Sequence, residues 1–154
     1  MAMRTLRSLL LLVVLIGLPG CKKAVLDDTV YFLVAEVTPQ HYDSYILPLN
    51  DPTHIIQAEA MLAGRETSRI VVARIDRGSG NGNYQNLDLI GPEKPAWSWH
   101  VTSFLGFADT TAEILDGWPG YVESNLGEWL ANTNSTIGFW TYRIQRRVAA
   151  EELN

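Results

Sequence analysis

Val30-Tyr31-Phe32-Leu33-Val34-Ala35 is an unbroken apolar run rich in β-branched and aromatic side chains. Such a strand has no polar face to offer water, so the run predicts a position inside a sheet that is covered on both faces. Tyr45-Ile46-Leu47 predicts a second strand close behind it. Asp51-Pro52 then supplies an N-cap and a residue suited to the first helical position, and Ile55, Ala58 and Leu62 recur at helical spacing until Gly64 ends the run. That helix is expected to lay one face on the sheet.

Arg69 to Ile75 reads as a central strand, followed by the loop Gly78-Ser-Gly-Asn-Gly-Asn83. The loop lacks the Lys-Ser/Thr pair of a phosphate-binding loop and reads as a turn. Trp97-Ser98-Trp99-His100-Val101 alternates, placing two indoles on one face and Ser98 with His100 on the other. Phe104 to Ile114 predicts a further strand. Gly117 and Pro119 open a second helix with Trp118, Val122, Leu126 and Trp129 as its apolar stripe, and Phe139 to Val148 closes the chain with Trp140, Tyr142, Ile144 and Val148 on one face. The order β-β-α-β-β-β-α-β implies an α+β domain: a mainly antiparallel sheet of five to six strands covered by two helices. No internal repeat or low-complexity block interrupts it.

Upstream of the domain the chain has a different character. Arg4 and Arg7 precede an apolar stretch from Leu9 to Leu18, and Pro19-Gly20-Cys21 follows. Basic start, apolar centre and small residue before a cut are the parts of an export signal. A helix of that stretch is roughly 15 Å long at about 1.5 Å per residue, against a bilayer core of about 30 Å, so it is too short for a permanent span. Leu18-Pro19-Gly20-Cys21 resembles the lipobox of bacterial lipoproteins, with Pro19 where a small residue is usual. Cys21 is the only cysteine, which fits a lipidated thiol better than a disulfide. The expected organisation is a signal peptide at 1–20, a lipidated cysteine and tether at 21–28, one domain at 29–148 and a polar tail at 149–154. Lys22-Lys23, with no Asp after the cysteine, resembles lipoproteins sent to an outer membrane. In a two-membrane host the domain is then expected on that membrane, facing the periplasm or the surface.

The chain carries a formal net charge of −5, and removing Arg4 and Arg7 makes the remainder more acidic. Neither nucleic acid nor a bare anionic lipid surface suits such a balance. The expected partners are the membrane, through the lipid on Cys21, and another envelope protein or a small envelope ligand.

Several motifs together resemble a family of small secreted bacterial domains that is also found as the N-terminal domain of a eukaryotic calmodulin-binding protein. They are Asp51-Pro52, Trp97-Ser98-Trp99-His100, Glu113-Ile-Leu-Asp116-Gly117-Trp-Pro119, Tyr121-Val122-Glu123 and Trp140. The resemblance covers most of residues 30–147. It brings no established enzymatic activity or catalytic residues to carry over, and calmodulin binding belongs to one member and does not transfer. The family usually has one Cys before the Asp and another before the late Trp, where this chain has Leu115 and Gly138-Phe139. The joint loss implies that the two cysteines pair, and that Leu115 packs near Phe139 in their place.

Candidate chemistry is sparse. His100 could act as a base or metal ligand with Glu113 and Asp116, and Ser98 as a nucleophile or donor. The same residues read more readily as strand and cap groups, His100 bonded to a neighbouring strand and Asp116 capping the second helix. Arg143, Arg146 and Arg147 concentrate positive charge on the last strand, where Arg143 and Arg147 are candidates for docking an acidic partner and all three can blunt a sheet edge. His41 and His54 lack zinc-motif spacing, and no Gly-x-Ser-x-Gly elbow is present. No cofactor or metal is called for. The sequence favours a non-enzymatic, membrane-tethered binding module. The alternatives are a small hydrolase or metal-dependent enzyme using His100, Glu113 and Asp116, and an inhibitor lipoprotein.

Overall fold

A computed structural model describes residues 28–38, 40–67, 69–93, 95–109 and 117–153. Its strands are β1 (Val30–Glu36), β2 (Ser44–Leu49), β3 (Ile70–Arg77), β4 (Trp99–Ala108), β5 (Thr136–Ile137) and β6 (Tyr142–Val148), and its helices α1 (Pro52–Leu62), α2 (Pro119–Ser124) and α3 (Leu126–Asn132). The fold is α+β, but the strands make two three-stranded antiparallel sheets, ordered β2-β1-β6 and β4-β3-β5, in place of the single sheet expected.

The apolar run at 30–35 is buried on both faces. Phe32 and Val34 join one cluster with Tyr45 and Leu47 of β2, Val71, Ala73 and Ile75 of β3, Trp99 and Val101 of β4, and Val122 and Trp129 of the helices. Tyr31 and Leu33 join a second cluster on the opposite face of the same sheet. Among the described residues no α-helix packs into that second cluster. Tyr84, with Leu87 and Leu89 of the 78–98 connection, and Leu153 of a closing 3₁₀ turn (Ala150–Leu153) cover it instead. The residues read as a polar tail thus contribute a fully buried leucine. Full burial of such a side chain stabilises by about 1.5–3 kcal/mol, enough to hold the turn down despite Glu151 and Glu152.

α1 begins and ends as its sequence dictates. The Asp51 carboxylate accepts from the backbone N–H groups of Thr53 (2.7 Å) and His54 (3.3 Å), with Pro52 in the first turn. At the other end Gly64 adopts φ +70°, and the N–H groups of Gly64 and Arg65 return to the carbonyls of Met61 and Ala60. This closing motif needs a left-handed residue, for which glycine has no steric penalty.

Three further expectations require correction. In place of separate strands at Trp97–Val101 and Phe104–Ile114, β4 runs unbroken to Ala108, because the register shifts beside Thr102 and Leu105 accommodate extra residues without a turn. Ile114 lies outside the described residues. The expected second helix is two short ones, α2 and α3, divided at Asn125, where the backbone leaves helical geometry (φ −128°, ψ 26°) and the Asn125 amide donates to the carbonyl of Tyr121. Finally, Gln145 is an extra residue in β6, since Leu33 pairs with Arg146 and Val34 with Ile144. This bulge sends Tyr142 and Ile144 into the first cluster and Val148 into the second, and Trp140 stays 43% exposed.

The seam between β2 and β4 is closed by one side chain. Asn86 is fully buried, its Oδ1 accepting from the Ile46 N–H of β2 (2.8 Å) and its Nδ2 donating to the Trp99 carbonyl of β4 (2.9 Å). It satisfies an edge group on each sheet that would otherwise be buried without a partner.

Candidate functional site

The alternation at Trp97–His100 is as expected, with both indoles buried, Ser98 exposed and His100 half-buried. His100 Nδ1 lies 2.9 Å from the Gly78 carbonyl, and the Ser98 hydroxyl and N–H both donate to Glu123 of α2. These contacts tie the strand to a loop and a helix. Glu113, Asp116 and Leu115 lie outside the described residues, as does Cys21, so the proposed meetings of His100 with the two carboxylates and of Leu115 with Phe139 do too. Among the described residues no group of three or more His, Cys, Asp or Glu side chains is placed to hold a metal ion.

On β6, an edge strand of its sheet, Arg147 pairs with Glu59 of α1 and sits over the Phe32 ring, 5.9 Å from its centroid. Arg146 makes a two-pronged contact with Glu152 (2.9 and 2.8 Å). Arg143 donates to the main-chain carbonyls of Trp140 and Tyr142.

A different set of residues forms a recess that brings rings and carboxylates together. A cleft of about 460 Å³ is lined by aromatic and proline rings (His41, Trp97, Trp118, Tyr121, Pro92, Pro95) and by the carboxylates Asp43, Asp88 and Glu93. Three segments build it: the β1–β2 turn, the second half of the 78–98 connection and the start of α2. The His41 imidazole stacks on the Trp118 indole at 3.9 Å, within 5° of parallel. From Trp118 a line of ring contacts continues through Tyr121, Trp129 and Phe139 to Tyr142, so the outer wall is joined to the core.

Each buried carboxylate has a structural duty. Asp43 accepts from the Tyr142 hydroxyl with Oδ1 and from the Gly120 N–H with Oδ2 (2.9 Å), which caps α2 from a distant turn where Trp118 offers no side-chain cap. Burial pushes the Asp43 carboxyl above its ordinary range, helped by the charge of Asp88, while the two hydrogen bonds and His41 pull the other way. Asp88 gathers three donors on Oδ1: the Ser44 hydroxyl and the N–H groups of Ile90 and Gly91 (2.8, 3.1 and 3.0 Å). Its Oδ2 accepts no hydrogen bond among the described residues, although the residue is only 3% exposed and lines the cleft. Gly91 leaves room for it, since a Cβ there would fall 2.1 Å from that oxygen.

Glu36 holds the turn that carries His41. Its Oε2 accepts from the N–H groups of Gln40 (2.6 Å) and His41 (2.9 Å), and its Oε1 from the Thr141 hydroxyl (3.2 Å). Burial works to raise this carboxyl, but those hydrogen bonds and the nearby His41 outweigh it and hold it below the usual value.

None of Asp43, Asp88 or Glu36 was singled out by spacing. Asp43 could have been noticed as the acid two residues after His41, between the first two strands. Asp88 sits in a stretch without periodicity and gives no local signal.

Fold and site together define a small two-sheet α+β domain with an aromatic, carboxylate-floored recess. A family model described as the BP-74 N-terminal domain matches residues 28–151, and the chain belongs to that family. The match bears out the resemblance to a calmodulin-binding protein's N-terminal domain drawn from Asp51-Pro52, Trp97–His100 and the later motifs. No curated protein and no solved structure matches the chain.

Proposed function

We propose that this domain is a non-enzymatic binding module, tethered to a bacterial envelope membrane through a lipid on Cys21, which takes a donor-bearing ligand in the cleft between His41, Asp88 and Trp118. The observation that carries the reading is Asp88 Oδ2, an acceptor on a nearly buried carboxylate that the described residues leave unused at the floor of a ring-lined recess. Stacking surfaces with few placed polar groups are the usual make-up of a small-ligand or side-chain pocket. A donor that is also cationic gains from both the carboxylates and the ring faces. The two residues of the enzyme reading that the structure describes are engaged apart from each other, Ser98 by Glu123 and His100 by the Gly78 carbonyl.

The test is site-specific photocrosslinking in cells, with the probe at Tyr121 on the cleft rim and a control probe at exposed Ile56 on α1. A defined adduct from position 121, absent from position 56 and lost in Trp118→Ala, is the expected result. Adducts that are the same from both positions would remove the cleft as the binding face. The anchor is tested separately, by whether Cys21→Ala releases the protein from the membrane fraction.

A further inference from the structure

The two sheets meet along two seams, and they are finished differently. Asn86 closes the β2–β4 seam. At the β6–β3 seam, Arg143 of β6 and Arg69, just before β3, line the same two adjoining recesses. Neither has a carboxylate partner among the described residues. Arg143 donates to the carbonyls of Trp140 (2.5 Å) and Tyr142 (2.8 Å), and Arg69 Nε to that of Glu66 (3.4 Å). Main-chain carbonyls orient a guanidinium without cancelling its charge. Burial, and then the charge of Arg69, hold Arg143 below its ordinary value, so the two cations feel each other.

The contrast along β6 is informative. Arg146 has Glu152 and Arg147 has Glu59, in a chain with 17 acidic residues to draw on, while no acid among the described residues lines the recesses around Arg143 and Arg69. They are lined instead by Val37 and Trp140, which are 63% and 43% exposed, and by Met61, Leu62 and Ile144. An exposed indole and valine beside a pair of uncancelled guanidinium groups form a head-and-body arrangement. Two charged forks suit an oxyanion, and the apolar floor suits what the oxyanion is attached to. We propose that this seam is a second binding site, independent of the cleft, for an amphipathic organic carboxylate whose head is held by Arg69 and Arg143 and whose apolar body lies along Val37, Trp140 and Leu62.

The probe is octanoate, below its micellar range, titrated into the full chain by calorimetry, with octanol and inorganic phosphate as comparison ligands. Binding of octanoate, at least about tenfold weaker in Arg69→Gln and in Arg143→Gln, with octanol and phosphate both weaker than octanoate, is the expected pattern, since a charge-assisted contact is worth about a factor of ten or more. Arg69 is exposed and makes one long side-chain bond, so Arg69→Gln gives a folded comparison even where Arg143→Gln loosens β6; thermal melting of both verifies this. Equal binding of octanol would leave the arginines without a role, and equal binding of phosphate would leave the apolar body without one. Either overturns the proposal, as does no binding at all. Binding that emerges only in a Glu113→Gln/Asp116→Asn variant also overturns it, because the arginines are then neutralised from within the chain.

Discussion

The Tyr142 hydroxyl on β6 donates to the Asp43 carboxylate in the β1–β2 turn, 99 positions away in sequence, and the other oxygen of that carboxylate caps α2. One acid thereby fixes a strand, a turn and a helix end beneath the cleft. Tyr142→Phe leaves Asp43 Oδ1 buried without its donor, which costs about 1–3 kcal/mol at neutral pH. The loss has a definite pH dependence. The folded state already raises the Asp43 carboxyl above 3.8, so it takes up a proton before the unfolded chain does, and protonating Asp43 favours folding as pH falls through that window. A neutral carboxyl needs the tyrosine less than a carboxylate does, so the variant's deficit in urea unfolding should shrink on acidification. A deficit that grows would contradict this account.

Glu36 has the opposite sign. Its folded-state value lies below 4.5, so its stabilisation is complete above that value and is lost as pH falls through the lowered folded value. Glu36→Gln is expected to cost about 1–2 kcal/mol near neutrality, through poorer acceptance of the Gln40 and His41 N–H groups. It should also flatten the acid limb of the stability curve relative to wild type. Matching acid limbs in the two proteins would show that Glu36 does not set it.

Asn86→Ala removes the partner of the Ile46 N–H and of the Trp99 carbonyl together. With each of the two buried orphans costing about 1–3 kcal/mol, a loss of about 2–6 kcal/mol is expected from denaturant midpoints. A loss below about 1 kcal/mol would mean that the seam closes without it.

His100→Ala is expected to cost only about 1 kcal/mol, because the residue is half-buried and its hydrogen bond is to the Gly78 carbonyl. A loss well above 2 kcal/mol would make it a core residue. The variant should leave crosslinking from the cleft unchanged, since His100 does not line it.

Much of the fold was legible because local rules govern it. Val30–Ala35 announced a doubly buried strand, Asp51-Pro52 and Gly64 bracketed α1, and the period of two sorted Trp97 and Trp99 from Ser98 and His100. The division into two sheets was not legible, since it depends on where Asn86 lands, and an asparagine in a loop looks like a turn residue. The Gln145 bulge was equally silent: one extra residue in a strand leaves the pattern alternating while reversing every face beyond it. The candidate site was least legible of all. Its carboxylates come from separate turns, and Asp88 meets Ser44 across 44 positions, a distance at which spacing carries no information.

β1 begins at Val30, immediately after the segment proposed to reach the membrane, and ends at Glu36, whose carboxylate holds the turn bearing His41. Seven residues of strand span roughly 20 Å. If the anchor and the ligand site are as proposed, attachment and recognition would sit towards opposite ends of one buried strand. A ligand would then reach the cleft at the end of that strand remote from the anchor, without displacing lipid.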